Sequence, residues 1–397
     1  MKRVAVVLNT VNFGGVAKSL IDFLNLLKND CNIDLFLFRD DGDLIDQIPK
    51  GVNIIIPKGY MGCFVECSKE CKKLGLVKYF FRRFMRLCCL FTHNYYPFVG
   101  FATRHSQKFK GYDVAISYAK VCPPDDVWCG AAEFVLNNIK AKKKYVVNHD
   151  DYMKENFTKT TLKKIKKFDT MFVVSQGCMN RILDNEPELK SKTDYMYNPV
   201  NTALIIEKAK EKNDYQFDNK KIQLVITGRL ATQKNHTELL NILSEVKSKI
   251  GDKFVLNILG DGSLRENLEK QIMELNLKNN VKIWGFQKNP YAIIKNCDLS
   301  LLYSILESFG IVYVESMVLG VPVLTNNVTP AKEIVEKYGV VAENADDFKN
   351  ELARLITDKN YLDFYKNKVK NYNYDNEIIK EKWLKYINGE KNDWIKD

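Results

Sequence analysis

Short, mostly apolar runs punctuate this chain, with stretches of helical period between them. The first, Val4-Ala5-Val6-Val7-Leu8, lacks polar alternation and so predicts a strand buried on both faces, as in a parallel sheet. Asn12-Phe13-Gly14-Gly15 breaks it, and Val16, Leu20, Phe23, Leu24 and Leu27 then recur at helical spacing. Runs of the same kind cover residues 33–38, 52–56, 114–118, 144–148 and 171–175. A second series follows Tyr197-Asn198-Pro199-Val200, at 222–227, 254–259, 281–286, 299–303 and 321–325. Strands spaced by helices predict βαβ units and an α/β fold in two halves, each with a mostly parallel sheet. A last helical stretch, 376–387, carries Ile379, Trp383 and Ile387 on one face.

A length of 397 residues fits two domains, and 46% hydrophobic with 27% charged residues excludes disordered and fibrous classes. No apolar run approaches the roughly 18 residues that span a bilayer, so a cytoplasmic chain is expected. Its ten cysteines include no CxxC pair and are expected to be thiols. Cys63, Cys67 and Cys71 would share a helical face, but no fourth ligand at a zinc spacing joins them, and buried thiols are the expectation.

Charge is unevenly placed. Between Cys63 and Tyr112 ten basic residues stand against Glu66 and Glu70, which is +8 of the net +11. Within this basic segment, 69–110, a helical wheel groups Leu74, Val77, Phe81, Phe84, Met85 and Cys88 on one face and Lys78, Arg82, Arg83 and Arg86 opposite. Such a helix suits an anionic membrane surface, which is the expectation; a core-facing helix with a solvated basic back is the alternative. No nucleic-acid-binding signature accompanies the charge, so no nucleic-acid partner is expected.

The second half holds the candidate chemistry. Gly228-Arg229-Leu230 follows a buried strand, and Gln233-Lys234-Asn235 opens the next helix. Two cations at a strand's C-terminal end beside a helix N-terminus suit a diphosphate, although a structural salt bridge for Arg229 and a solvated Lys234 fit equally. Glu307-Ser308-Phe309-Gly310-Ile311-Val312-Tyr313-Val314-Glu315 then sets two carboxylates about two helical turns apart, with Gly310 permitting close approach between them. Ile258-Leu259-Gly260-Asp261-Gly262 also follows a strand, the pattern of a dinucleotide-dependent oxidoreductase, but Arg265 replaces the third glycine.

Taken in order, Gly14-Gly15, Val173-Val174-Ser175, Asn198-Pro199-Val200, Gly228-Arg229-Leu230, Lys234, Gly260-Asp261-Gly262, Gly285-Phe286, the run from Glu307 to Glu315, Gly320-Val321-Pro322-Val323, Glu333-Ile334-Val335 and the Trp383 helix resemble the family 4 retaining glycosyltransferases of the GT-B fold. The resemblance implies two Rossmann-like domains facing across a cleft: an acceptor-binding domain over 1–200, a nucleotide-sugar-binding domain over 201–375, and a C-terminal helix, 376–397, packing back on the first. It implies a hexosyltransferase-type enzyme (EC 2.4) that needs no metal or other cofactor and moves a sugar from a nucleotide-diphosphate sugar to a glycan or lipid-linked acceptor. By that resemblance Arg229 and Lys234 hold the diphosphate, Glu307 meets the transferred sugar, Glu315 the ribose, and backbone groups of Ser308, Phe309, Gly310 and Ile311 the sugar and phosphate. Phe286 and its neighbour Gln287 would lie near the base, and Gly14 and Gly15 near the phosphates. His149, in Val147-Asn148-His149-Asp150-Asp151, stands where the family often places a histidine against sugar or acceptor, with Asp150 the competing candidate. Val328-Thr329-Pro330-Ala331 departs from the Gly-Gly pair that many members carry. The reading is thus an enzyme of bacterial surface polysaccharide or glycolipid synthesis, cytoplasmic and peripheral on the inner face of the membrane. A GT-B epimerase or a non-catalytic sugar-nucleotide binder is the alternative on the same fold.

Overall fold

A computed structural model of the chain describes residues 1–65, 75–126, 130–212 and 215–390. It divides into two units: Met1–Pro199 together with the segment from Asn376 onward, and Val200–Asp375. Each unit is a Rossmann-like parallel sheet flanked by helices.

In the first unit the strands are β1 (Lys2–Leu8), β2 (Cys31–Leu37), β3 (Asn53–Ile55), β4 (Phe109–Ser117), β5 (Ile139–Asn148), β6 (Thr170–Val173) and β7 (Thr193–Tyr195), in the order β3-β2-β1-β4-β5-β6-β7. In the second they are β8 (Ile222–Thr227), β9 (Phe254–Leu259), β10 (Val281–Gly285), β11 (Leu299–Leu302), β12 (Val323–Asn326) and β13 (Val340–Ala342), in the order β10-β9-β8-β11-β12-β13. Val4 to Leu8, apolar throughout, is buried at every position, and so is Phe254 to Leu259, whose one polar residue, Asn257, donates to Gln223 and to the Leu224 carbonyl. The short edge strands β7 and β13 escape a pattern reading, since three residues carry no periodicity. In both sheets strand order reverses once, between β1 and β4 and between β8 and β11. The carboxyl ends of strands at such a switch point form the crevice where open α/β sheets bind ligands.

The C-terminal helix Asn376–Asn388 packs on the first unit through Ile379, Trp383 and Ile387. Trp383 lies 4.9 Å from Phe23 and 4.8 Å from Phe172, ring centre to ring centre. Lys382 reaches Asp194 at 3.0 Å and the Tyr195 carbonyl at 2.6 Å, while the Tyr386 hydroxyl donates to the other Asp194 oxygen.

The basic helix α2 (Leu76–Thr92) differs from the wheel drawn on the sequence. Its buried side chains are Arg82, Met85 and Cys89, one narrow line at i, i+3 and i+7. Arg82, expected at a membrane surface, is instead buried and donates to the Cys63 carbonyl. Leu76, Val77, Phe80, Phe84, Leu87, Leu90 and Phe91 are 55% to 80% exposed, with Arg83 and Arg86 exposed among them and Lys78 partly buried. The helix has more apolar positions than one contact stripe can cover. The core took Met85 and Cys89, which sit deep enough for Arg82 beside them to reach a carbonyl. Leu74, Cys67, Cys71 and the cations Lys69, Lys72 and Lys73 lie outside the described residues. Among the described residues every cysteine is a free thiol and no group of three or more His, Cys, Asp or Glu side chains is placed to hold a metal.

Candidate active site

The candidate residues gather at the carboxyl ends of strands beside each switch point. In the second unit, β8 runs into Gly228 and Arg229, and β11 into the loop that carries Glu307. One 3-10 turn, Thr232–Lys234, and a left-handed Asn235 at φ 50° precede the helix His236–Ile250, so Lys234 sits just outside the helix rather than within it. The two loops are stitched together: the Ile305 N–H donates to the Gln233 carbonyl at 2.9 Å, and the Gln233 amide to the Leu306 carbonyl at 3.1 Å. This brings Lys234 Nζ to 2.5 Å from Glu307 Oε2, with Glu307 buried. Lys234 is therefore not a solvated surface cation. Arg229, by contrast, is exposed and has no ion pair among the described residues, so it is not committed to a structural salt bridge.

Beyond Glu307, Gly310 takes φ +75° and caps the helix Ile311–Val318. A Cβ there would lie 2.3 Å from the Tyr313 ring, so both conformation and space demand glycine. Phe309 is buried against Tyr374, so what it can offer a ligand is its backbone. Glu315 is buried on that helix and accepts from the Tyr291 hydroxyl at 3.2 Å. At the end of β10 the Phe286 side chain is exposed, whereas the Gln287 amide is tied to the Trp284 carbonyl and its oxygen to the Tyr215 hydroxyl. Gly260, which suggested a dinucleotide fingerprint, has another use: a Cβ there would lie 1.8 Å from the Gly228 carbonyl oxygen. Its glycine lets two strand-end loops touch.

The first unit holds Gly14, Gly15 and His149. Gly14 and Gly15 are exposed at the start of α1 (Gly15–Leu27), and the preceding Phe13 N–H donates to Asp43 at 3.2 Å. His149 directly follows β5. Its Nε2 is shielded from solvent, its ring lies 4.8 Å from that of Tyr118, and burial pushes its pKa down to about 4 against the opposing pull of Asp150. It is a neutral imidazole at pH 7. Asp150 is half-exposed and paired with Lys120 at 2.6 Å. Lys120, Tyr118 and Tyr291 were not singled out by the sequence pattern, and Gln233 entered it only as a neighbour of Lys234: each is one polar residue at a loop, strand end or helix start, marked only by what the fold sets beside it.

Comparison with known proteins decides the class. The family model described as glycosyl transferases group 1 matches residues 207–373, almost the whole second unit. That unit belongs to glycosyl transferases group 1. Over 98% of this chain and 100% of its own length, an undecaprenol-diphosphate-sugar 4-alpha-N-acetylgalactosaminyltransferase of Campylobacter jejuni is 25% identical. A second C. jejuni enzyme, an alpha-1,4-N-acetyl-D-galactosaminyltransferase named for an undecaprenol-linked acceptor, is 22% identical over 99% of this chain and 100% of its own. Among solved structures, HepE of Anabaena with UDP and glucose gives a TM-score of 0.68 at 17% identity, covering 98% of this chain and 100% of that one. TarM gives 0.68 at 14% identity, over 98% of this chain and 99% of its own. The chain is a glycosyltransferase with the two Rossmann-like domains of the GT-B fold, so the oxidoreductase reading of Gly260-Asp261-Gly262 falls away.

Proposed function

We propose that this glycosyltransferase moves a sugar, with retention of its anomeric configuration, from a nucleotide-diphosphate sugar to a lipid-linked or glycan acceptor in bacterial surface polysaccharide or glycolipid synthesis. The observation that carries the proposal is the Lys234–Glu307 pair with exposed Arg229 at the β8/β11 switch point, beside the helix that Gly310 caps. A diphosphate entering there meets a free guanidinium and competes for the Lys234 ammonium, releasing Glu307 toward the sugar hydroxyls. Arg229, Lys234 and the N–H groups at Ile311 stabilise the negative charge that develops on the departing phosphate, which is why no metal is needed. The acceptor hydroxyl attacks the anomeric carbon from the face the diphosphate leaves. Its proton passes to the leaving phosphate oxygen, so no protein nucleophile takes part. Glu315 binds the ribose, Gly14 and Gly15 admit the phosphates, and neutral His149 touches sugar or acceptor.

The likeness over its full length to an undecaprenol-dependent relative supports a lipid-linked acceptor. An enzyme of that kind works peripherally at the inner face of the cytoplasmic membrane. The outward apolar face of α2, with Arg83 and Arg86 among its side chains, is the surface suited to such a bilayer.

A panel of UDP-N-acetylgalactosamine, UDP-glucose, UDP-galactose and GDP-mannose tests the donor reading through hydrolysis and thermal stabilisation, with and without EDTA. At least one donor is expected to be hydrolysed, insensitive to EDTA, and to raise the melting temperature by mass action. Stabilisation without hydrolysis would instead favour a sugar-nucleotide binder. Loss of hydrolysis in EDTA would overturn the metal-free mechanism.

A further inference from the structure

His149 is one end of a series of buried rings. Tyr118, the residue after β4, is 2% exposed, and its N–H donates to the Val7 carbonyl at 2.8 Å. Its ring lies 4.8 Å from that of His149 and 5.2 Å from that of Phe23, and Phe23 continues the series of rings to Trp383 at 4.9 Å. The tyrosine also carries a buried hydroxyl. It lies 2.8 Å from Ser19 Oγ, and since Ser19 donates to Asn198 Oδ1 at 2.7 Å, the phenol is the donor in this chain. Ser19 stands one turn into α1, the helix that begins at Gly14 and Gly15.

A phenylalanine would fill the same space with nothing to satisfy. A buried hydroxyl is costly unless bonded, and this one is bonded to the element that carries the glycine loop. The Ser19 bond holds the Tyr118 ring at one height and tilt, and that ring, packed at 45° to the imidazole, in turn restricts how the imidazole can turn.

We propose that Tyr118 is a positioning residue for His149, and that through Ser19 it makes the His149 ring and the first turn of α1 move as one piece. The inference rests on the reading of His149 as a group that touches sugar or acceptor.

The test uses the full chain and the nucleotide sugar of the panel that the wild type hydrolyses fastest. Tyr118→Leu is expected to lower kcat about 30-fold with donor KM within about twofold, because a small misplacement of a reacting group is enough for such a loss. Tyr118→Phe keeps the ring and should recover all but about threefold of it, matching Ser19→Ala, and the last two losses should not add when combined. In a His149→Ala background Tyr118→Leu should cost nothing further. A second readout needs no substrate: in histidine-labelled protein the imidazole resonance assigned by His149→Gln should shift strongly in Tyr118→Leu and little in Tyr118→Phe. Additive losses with His149→Ala, or an unmoved resonance, would overturn the proposal. Where Tyr118→Leu does not fold, additivity of Tyr118→Phe with Ser19→Ala overturns it instead. If His149→Ala itself leaves kcat unchanged, the reading of His149 fails and takes the inference with it. If His149→Ala is impaired and Tyr118→Leu is not, only the inference fails.

Discussion

Arg82 and Arg83 are neighbours in sequence and opposites in environment. The first is buried with its guanidinium on a backbone carbonyl, the second exposed among apolar side chains. Arg82→Leu strands the Cys63 carbonyl and should destabilise the protein by about 2 kcal/mol in urea unfolding, leaving vesicle binding intact. Arg83→Glu with Arg86→Glu should leave stability unchanged and weaken cosedimentation with phosphatidylglycerol vesicles at least about 30-fold, since each lost cation is worth about 1 kcal/mol at an anionic surface. Equal binding by the double variant would remove the membrane reading. At the proposed donor site, Lys234→Ala should raise donor KM, whereas Glu307→Gln should act on kcat by about 100-fold, as expected for loss of the one group proposed to meet the reacting sugar. Steady-state kinetics separates the two. The sequence made Lys234 and Glu307 visible through a family pattern of residues 73 apart; their contact needed the switch point that brings β8 beside β11.

At the level of elements, β8 and β9 could be read to the residue because burial on both faces leaves them mostly apolar without alternation, their buried polar residues Gln223 and Asn257 being bonded to each other. β7 and β13 could not, and neither could the orientation of α2. A helical wheel ranks faces by apolar content, yet what a helix buries is set by the hollow it meets, and α2 carries apolar residues on more than one face. The Gly310 cap is the element most exposed to a single change. Gly310→Ala meets an unfavourable φ and the buried Tyr313 ring, whose hydroxyl is held to Thr325 at 2.9 Å. A loss of about 2 kcal/mol or more is expected, from backbone strain of about 1 kcal/mol plus the displaced ring. Donor stabilisation in a thermal shift should fall with it.

For the whole molecule, pH is the sharpest lever. Burial lowers His149 and His236 to about 4 from the ordinary 6.5, with Arg229's backbone opposing and Lys234 adding to the shift at His236. The unfolded chain therefore binds more protons than the native one between about pH 6.5 and 4, and stability falls as pH drops through that window. The melting temperature should be flat above pH 7 and decline below 6.5. His236→Gln should flatten the decline, even if its starting stability is lower. A profile of unchanged slope would contradict this assignment.

The first sheet is closed by residues from both sides of the second unit in sequence, since the helix bearing Trp383 is made after that unit and covers Phe23 and Phe172. At 5–20 residues per second, roughly 10–35 s of synthesis separate the end of the first sheet from the arrival of that helix. During this interval the second unit, contiguous from Val200 to Asp375, has everything it needs to fold, and the first does not. The unit that carries Lys234 and Glu307 is thus complete on the ribosome before the unit that carries His149. A stop codon after Asp375 should yield a chain whose second unit is protease-resistant and whose first is digested.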